Sequence, residues 1–435
     1  MSRRTAHILL WLLPALLPVV SFPGRAPAQQ ETSHEGLPVS EVVLHGLETV
    51  DRDVVLRRME LRRGRRFRLR TARRDERAIT ALGFFWSVRV EPEDPPADSV
   101  RVHVQLRERF AWFAVPQLEW MPEEGWSYGL TGGHLNLWGR GHRLFLSALT
   151  GGARYLSLSL SNPWNGEHHE SFRIGGATVR IQNRLYDFVE RGVRFNGEVG
   201  RWFGEHGRGR IGFQYRTVRP DREGITFTGA SEDRYQGVWM YLGLDTTDPW
   251  AFPRLGWSGG LRIEGSGGPL GGDIHGGAVE ADLVRRSVLD RAARFVAAAR
   301  LRAGTQWGDV PYWRLLALGG PNGVRGYPLG AWLVDERWEA SAELRWYVMP
   351  MQVQEMGVLG DQIVGISVAL FTDTGAGSGV RRVPEGLWVT DRTPRLGSWG
   401  AGIRFHNALF GTARLEVAWS DRGGRQLFLA LGGIY

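Results

Sequence analysis

The chain has 435 residues, 23% of them charged, with 59 glycines, 19 tryptophans and no cysteine. That composition excludes a disordered polymer, a helical membrane protein and a disulfide-held scaffold, and points to an ordered, β-rich chain with one large domain and one small. All 54 cationic side chains are arginine, so the net charge of +8 comes without the lysine that phosphate loops, Schiff bases and lysine bases require.

At the N-terminus, Arg3 and Arg4 precede an apolar run from Ile8 to Val20, and Ala26-Pro27-Ala28 ahead of Gln29 is a small-residue cleavage site. Residues 1–28 therefore read as a secretory signal peptide and 29–37 as a linker. Pro14 and Pro18 break the run, and no other apolar stretch reaches the ~18 residues of a spanning helix. A membrane-spanning form of this chain has to be a barrel.

Residues 38–108 read as a small α+β domain. Val39 to Leu44 is strand-like. A first helix is expected from about Asp51 to Glu60, with Asp51 or Thr49 as N-cap and Val55 and Met59 on one face. A second, capped by Thr71, buries Ala78, Ile79 and Leu82 and stops at Gly83. Two strands follow, Trp86 to Glu91 and Val100 to Leu106, joined by the proline-rich turn Pro92 to Ala97. In the second, Val100, Val102, Val104 and Leu106 alternate with Arg101, His103, Gln105 and Arg107, giving one packed and one wet face. The arginine-dense run Arg57 to Arg77 has too few interleaved aromatics for nucleic-acid binding and reads as a solvated face attracted to anionic lipid.

This domain resembles a POTRA domain, the periplasmic module of outer-membrane assembly proteins. The likeness lies in Val43-Leu44-His45-Gly46-Leu47, Leu56-Arg57-Arg58-Met59, Gly64 with Phe67, and Leu82-Gly83-Phe84-Phe85-Trp86-Ser87-Val88. In that family the module receives client chains partly by adding a strand to its sheet edge.

Residues 109–435 lack a convincing amphipathic helix and instead alternate in polarity over short segments. Trp338, Ala340, Ala342, Leu344 and Trp346 share one face, and Glu339, Ser341, Glu343 and Arg345 the other. Phe295, Ala297, Ala299 and Leu301 oppose Arg300 and Arg302 in the same way, and Leu415, Val417 and Trp419 oppose Arg414 and Glu416. Alternation alone fits a sandwich as well as a barrel. The export signal favours an all-β transmembrane barrel of about sixteen antiparallel strands, with arginines and carboxylates lining the lumen, because arginine facing mid-membrane lipid costs ~2 to 4 kcal/mol. An even strand number leaves both chain ends on the periplasmic side. Short turns such as Gly139 to Gly141 and Glu205 to Gly207 fall there too.

Gly319-Gly320-Pro321-Asn322-Gly323-Val324-Arg325-Gly326-Tyr327 suits a compact loop that presents Arg325. The following strand-like segments, Trp338 to Val348 and Ile363 to Gly375, carry Glu343 and Asp373 as possible receivers. The loop is similar to the sixth-loop VRGF/VRGY motif of BamA/TamA-type proteins and two-partner secretion transporters. Phe371-Thr372-Asp373-Thr374-Gly375 resembles their F-x-D-x-G strand, and Asp245-Thr246-Thr247-Asp248-Pro249 with Phe252-Pro253-Arg254-Leu255-Gly256 their mid-barrel turn. The ending, Leu427 to Tyr435, resembles an outer-membrane targeting signal.

The resemblance implies a bacterial outer-membrane assembly or insertion factor with its POTRA domain in the periplasm, without enzymatic activity or cofactor. Its partners would be unfolded outer-membrane client proteins and outer-membrane lipid, with periplasmic chaperones or accessory lipoproteins beside them and no nucleic acid. Arg325, Glu343 and Asp373, with Val324, Gly326 and Tyr327, would form a loop latch. Phe110 and Trp112 on the first strand, and Gly432, Gly433 and Tyr435 on the last, would border a lateral seam. The alternatives are a two-partner secretion-type transporter and, from another class, a passive porin or receptor. Gly256-Trp257-Ser258-Gly259-Gly260 fits a nucleophile elbow but lacks the helix that should follow. His168-His169-Glu170 lacks a regularly spaced third metal ligand.

Overall fold

The computed structural model describes residues 34–80, 82, 85–93, 98–109, 111–121, 125–165, 170–183, 187–204, 206–248, 252–329, 332–355, 361–378, 395–407 and 411–431. The expected signal peptide, His168, His169, and the seam residues Phe110, Gly432, Gly433 and Tyr435 lie outside them.

The small domain consists of β1 (Val39–His45), α1 (Arg52–Leu56), α2 (Leu69–Thr80), β2 (Phe85–Glu93) and β3 (Val100–Glu108). β3 is central, parallel to β1 and antiparallel to β2. Its Val100, Val102 and Val104 are fully buried in a core shared with Val55, Phe67 and Ile79. Burying such branched side chains stabilises the domain by ~1.5–3 kcal/mol each.

Both helices depart from the sequence expectation. Asp51 caps α1 by accepting the Asp53 N–H at 3.1 Å, but the helix ends at Leu56 rather than near Glu60. The N–H groups of Glu60 and Leu61 donate instead to the Asp75 carboxylate, at 2.8 and 2.9 Å, which draws the chain off the helical path. α2 starts at Leu69, so Thr71 lies inside it. The Leu69 N–H donates to Glu35 at 3.0 Å, so an acid from far upstream supplies the negative charge favoured at a helix start. Ala78 is only half-buried, while Ala72, Asp75, Ile79 and Thr80 are buried. Burial pushes the Asp75 carboxyl up to about 6, against the pull of its two backbone donors.

The large domain runs in chain order through β4 (Trp112–Met121), β5 (Gly125–Leu137), β6 (His142–Gly151), β7 (Ala153–Asn165), β8 (Glu170–Asn183), β9 (Phe188–Phe203), β10 (Gly207–Pro220), β11 (Asp233–Asp245), β12 (Gly256–Ser266), β13 (Gly276–Val288) and β14 (Phe295–Gly308). It continues with β15 (Leu316–Leu318), β16 (Trp332–Val334), β17 (Glu336–Glu355), β18 (Asp361–Ser378), β19 (Arg395–Asn407), β20 (Gly411–Ser420) and β21 (Arg425–Leu431). All but β15 and β16, which pair with each other, form one closed antiparallel barrel of sixteen strands. Ser258 sits within β12, which continues as strand to Ser266, so the helix that a nucleophile elbow needs directly after the serine is replaced by strand.

Side chains alternate across the wall. Trp338, Leu344 and Trp346 are exposed on the outside of β17, while Glu339 and Arg337 are buried within. Leu301, Leu370, Ile403 and Leu415 continue the exposed apolar band. Aromatics gather toward its two ends: Phe295 stacks near Trp346 at one, with centroids 6.3 Å apart, and Trp399 on Trp419 at the other, at 4.7 Å. An apolar exterior between aromatic girdles and an ionic interior is the pattern of an outer-membrane barrel.

The small domain sits against the end of the barrel where β4 begins, here the proximal end. Leu135 joins its core, with Phe113 and Phe145 packed against it, and the Asp51 N–H donates to the Gly139 carbonyl at 2.9 Å. The loop from 309 to 335, which carries β15 and β16, leaves the distal end and turns back into the lumen.

Candidate functional site

Within that loop, Gly319 and Gly320 take φ of +94° and +87°, a region open to glycine without strain, and the Gly320 N–H closes the turn on the Tyr327 carbonyl at 2.9 Å. The turn drives Arg325 into the wall. Its backbone N–H and Nε donate to Asp373 Oδ2 at 3.1 and 2.9 Å, and Nη2 to Asp373 Oδ1 at 2.7 Å. Nη1 donates to Glu343 Oε2 at 3.1 Å and Nη2 to Ser341 Oγ at 3.1 Å. The guanidinium lies 3.4 Å from the Phe371 ring centroid, a cation–π contact. Arg325 is 6% exposed and Asp373 3%, so the pair is held away from water.

Around this pair the lumen is charge-balanced. Arg404 donates to both oxygens of Glu343 at 2.7 Å and through Nε to Glu416 Oε1 at 2.8 Å. Arg345 Nε also donates to Glu343. Glu416 is fully buried, and its Oε2 lies 3.8 Å from Arg325 Nη1. Arg325, Arg345 and Arg404 thus face Glu343, Asp373 and Glu416 in equal number, which is how ionised groups persist where desolvation is expensive.

The loop's other residues fit the same wall. Val324 is fully buried against Gly375, and the Tyr327 hydroxyl donates to Asp421. At Gly326 a Cβ would lie 2.7 Å from Ser398 Cβ and 2.8 Å from the Ser420 nitrogen, so only glycine passes so close to β19 and β20. Arg404, Glu416, Arg345 and Ser341 escaped the sequence reading as partners. Their alternation marked them as facing inward, but which strands meet at one depth depends on the barrel's closure.

The barrel closes where β21 meets β4. Among the described residues this junction has three register pairs, Leu429 with Trp120, Ala430 with Glu119 and Leu431 with Leu118. The neighbouring β4–β5 pairing runs unbroken from Trp112 opposite His134 to Met121 opposite Gly125. Pro116 in β4 has no N–H to give, a residue that sheets confine to edges. Trp112, 67% exposed, stands edge-on to His134 of β5.

Fold and site define a class: a sixteen-strand outer-membrane-type barrel that carries a POTRA-like module and a returning loop whose arginine is buried in the lumen wall. The chain belongs to the Omp85 superfamily. The Omp85 superfamily domain matches residues 136–428, and the POTRA domain, described as a surface antigen variable number repeat, matches 37–109. No curated protein matches the chain. Among solved structures it is similar to BamA from Haemophilus ducreyi lacking POTRA domains 1–3, with a TM-score of 0.57 and 14% identity over 91% of this chain and 84% of that one. It is likewise similar to CdiB from Acinetobacter baumannii, with a TM-score of 0.56 and 13% identity over 91% and 73%. CdiB from Escherichia coli gives 0.56 and 11% over 98% and 97%. At these identities the likeness is one of fold.

Proposed function

We propose that this protein assembles client β-barrels in the bacterial outer membrane, with the POTRA domain in the periplasm and the barrel opening between β4 and β21. The observation that supports this reading is Pro116 in β4, beside the junction, which has no N–H to offer a neighbouring strand. Backbone groups freed there can template an incoming client strand by β-augmentation. A client strand in lipid cannot leave its own backbone groups unmet, at several kcal/mol each, so it is driven to pair onward and close. The buried arginine would meanwhile hold the loop and the strands around it in one arrangement. No covalent step, cofactor or nucleotide enters this mechanism.

The likeness to CdiB supports a second reading, export of a dedicated protein through the lumen, as in two-partner secretion. The two differ in whether the seam must part. Because the chain has no cysteine, Glu119→Cys with Ala430→Cys introduces a single disulfide across it. In proteoliposomes supplied with a urea-unfolded outer-membrane barrel, the oxidised variant should fail to produce heat-modifiable folded client, and reductant should restore it. Full assembly with the seam locked would overturn the insertase and leave lumenal export as the function.

A further inference from the structure

The outward face of the barrel carries a charge pattern that neither the latch nor the seam uses. On β7 to β10 one arginine from each strand stands in direct cross-strand register: Arg154 opposite Arg180, Arg180 opposite Arg191, and Arg191 opposite Arg219. All four are exposed, and they share the parity of the outward-facing Leu156 and Val193, not of the lumen-facing Glu190 and Arg216. Arg219 pairs with Glu232. Among the described residues no carboxylate lies within ion-pair distance of Arg154, Arg180 or Arg191.

Like charges directly opposite on neighbouring strands weaken a sheet, so this row, with only Arg219 compensated by a carboxylate, is unfavourable until an anion sits on the other three. The row lies near the distal ends of its strands and borders an open cleft of about 920 Å³. One step toward the barrel's middle the same face turns apolar, with Leu156, Leu158, Val193 and Phe195 all exposed. Gly176 and Gly197 leave this patch shallow, and a Cβ at Gly197 would meet nothing within 4 Å. Cations above and a furrowed apolar strip below are complementary to an amphiphile with an anionic head. Guanidinium forks match phosphate oxygens bidentately, and long cationic side chains at a membrane edge reach out to headgroups.

We propose that this row binds the phosphorylated headgroup of an outer-leaflet lipid, whose acyl chains lie along the furrow. This site rests on the placement of the barrel in the outer membrane with its distal end outward. A bound lipid would fix β7 to β10, across the barrel from the seam, to the surrounding leaflet.

The test uses the full chain in phosphatidylcholine nanodiscs, with fluorescent diphosphoryl lipid A as probe. Arg180→Gln should bind it about tenfold more weakly than the parent protein, the loss expected for one charged hydrogen-bonding group, and Arg180→Gln/Arg191→Gln more weakly still. Arg291→Gln/Arg294→Gln, the same charge change in an exposed proximal turn, should leave binding unchanged, and millimolar inorganic phosphate should not displace the probe. Stability gives a second readout. Lipid A should raise the temperature at which the parent's heat-modifiable band is lost and raise it less in the double variant, which in phosphatidylcholine alone should be no less stable than the parent. Equal binding by parent and double variant, or ready displacement by phosphate, would overturn the lipid site while leaving the membrane placement intact. Absence of a protease-protected barrel in the nanodisc would overturn that placement and the site with it.

Discussion

Arg325→Ala leaves Glu343, Asp373 and Glu416 facing only Arg345 and Arg404, so one buried negative charge loses its counterion. Removing one member of a buried ionic set typically costs ~3–5 kcal/mol, chiefly because the partner stays desolvated and unpaired. The lost stacking on Phe371 adds to that. Arg325→Lys keeps the charge but cannot span both oxygens of Asp373 and reach Glu343 together, so its loss should be intermediate. A double-mutant cycle with Asp373→Asn should give a coupling of about 0.5–3 kcal/mol. Urea unfolding of the detergent-solubilised chain, followed by loss of the heat-modifiable gel band, measures each value. Arg62→Ala, on an exposed part of the small domain, is the reference and should change little. If Arg325→Ala unfolded at the same urea concentration as Arg62→Ala, the loop would not be held by this cluster.

Gly326→Ala should lift the loop from β19 and β20, because neither the Ser398 side chain nor the Ser420 backbone can retreat fully from the new methyl group. The expected cost is about 1–3 kcal/mol, with faster proteolysis between residues 309 and 335. In the small domain, the raised carboxyl of Asp75 makes a pH prediction. The folded state holds this proton more tightly than the unfolded state, so stability is greatest below the unfolded value near 4, falls as pH rises to about 6, and is level above it. The fall amounts to about 3 kcal/mol, and Asp75→Asn should abolish it. Amide hydrogen exchange of β1 to β3 in the full chain would follow this, and a wild-type profile flat from pH 4 to 6 would refute it.

How much of this was legible in the sequence depended on the range of the interaction. Trp338, Leu344 and Trp346 against Glu339 and Glu343 announce a strand with an oily and an ionic face, because the period of two is written locally. Arg325, Glu343 and Asp373 stood out because a glycine-rich loop and two acidic strands follow one another in the chain. Arg404 and Glu416 sit equally deep in the cluster, yet their strands reach Glu343 only after the barrel has closed. The helices failed for the same reason: Asp75 ends α1 and Glu35 starts α2, each from another element. The arginine row is a further case. Arg154, Arg180, Arg191 and Arg219 have no common spacing, and only cross-strand register puts them side by side.

The placement of the loop's anchors bears on how such a barrel would open. Asp373 lies on β18, Glu343 on β17, and Glu416 on β20, while Gly326 rests against β19 and β20 and Tyr327 bonds to Asp421 just beyond β20. Arg414 of β20 donates to Asn322 at 3.1 Å, extending the grip. Elsewhere in the loop Tyr312 donates to Glu190 of β9 at 2.9 Å, Arg314 to Glu264 of β12 at 3.3 Å, and Arg300 of β14 to the Asn322 carbonyl at 3.2 Å, while the anchors around Arg325 lie on β17 to β20 and not on β21. The Arg325 contacts to Asp373, Glu343 and Glu416 lie on neither β21 nor β4, so separation of those two strands requires no loss of them. Parting β19 from β20 would break the Arg404 bonds to Glu416 and pull on the Gly326 contact as well. On the proposed mechanism the latch and the seam are complementary: one stiffens the strands that must stay together, and the other leaves free the junction that must part.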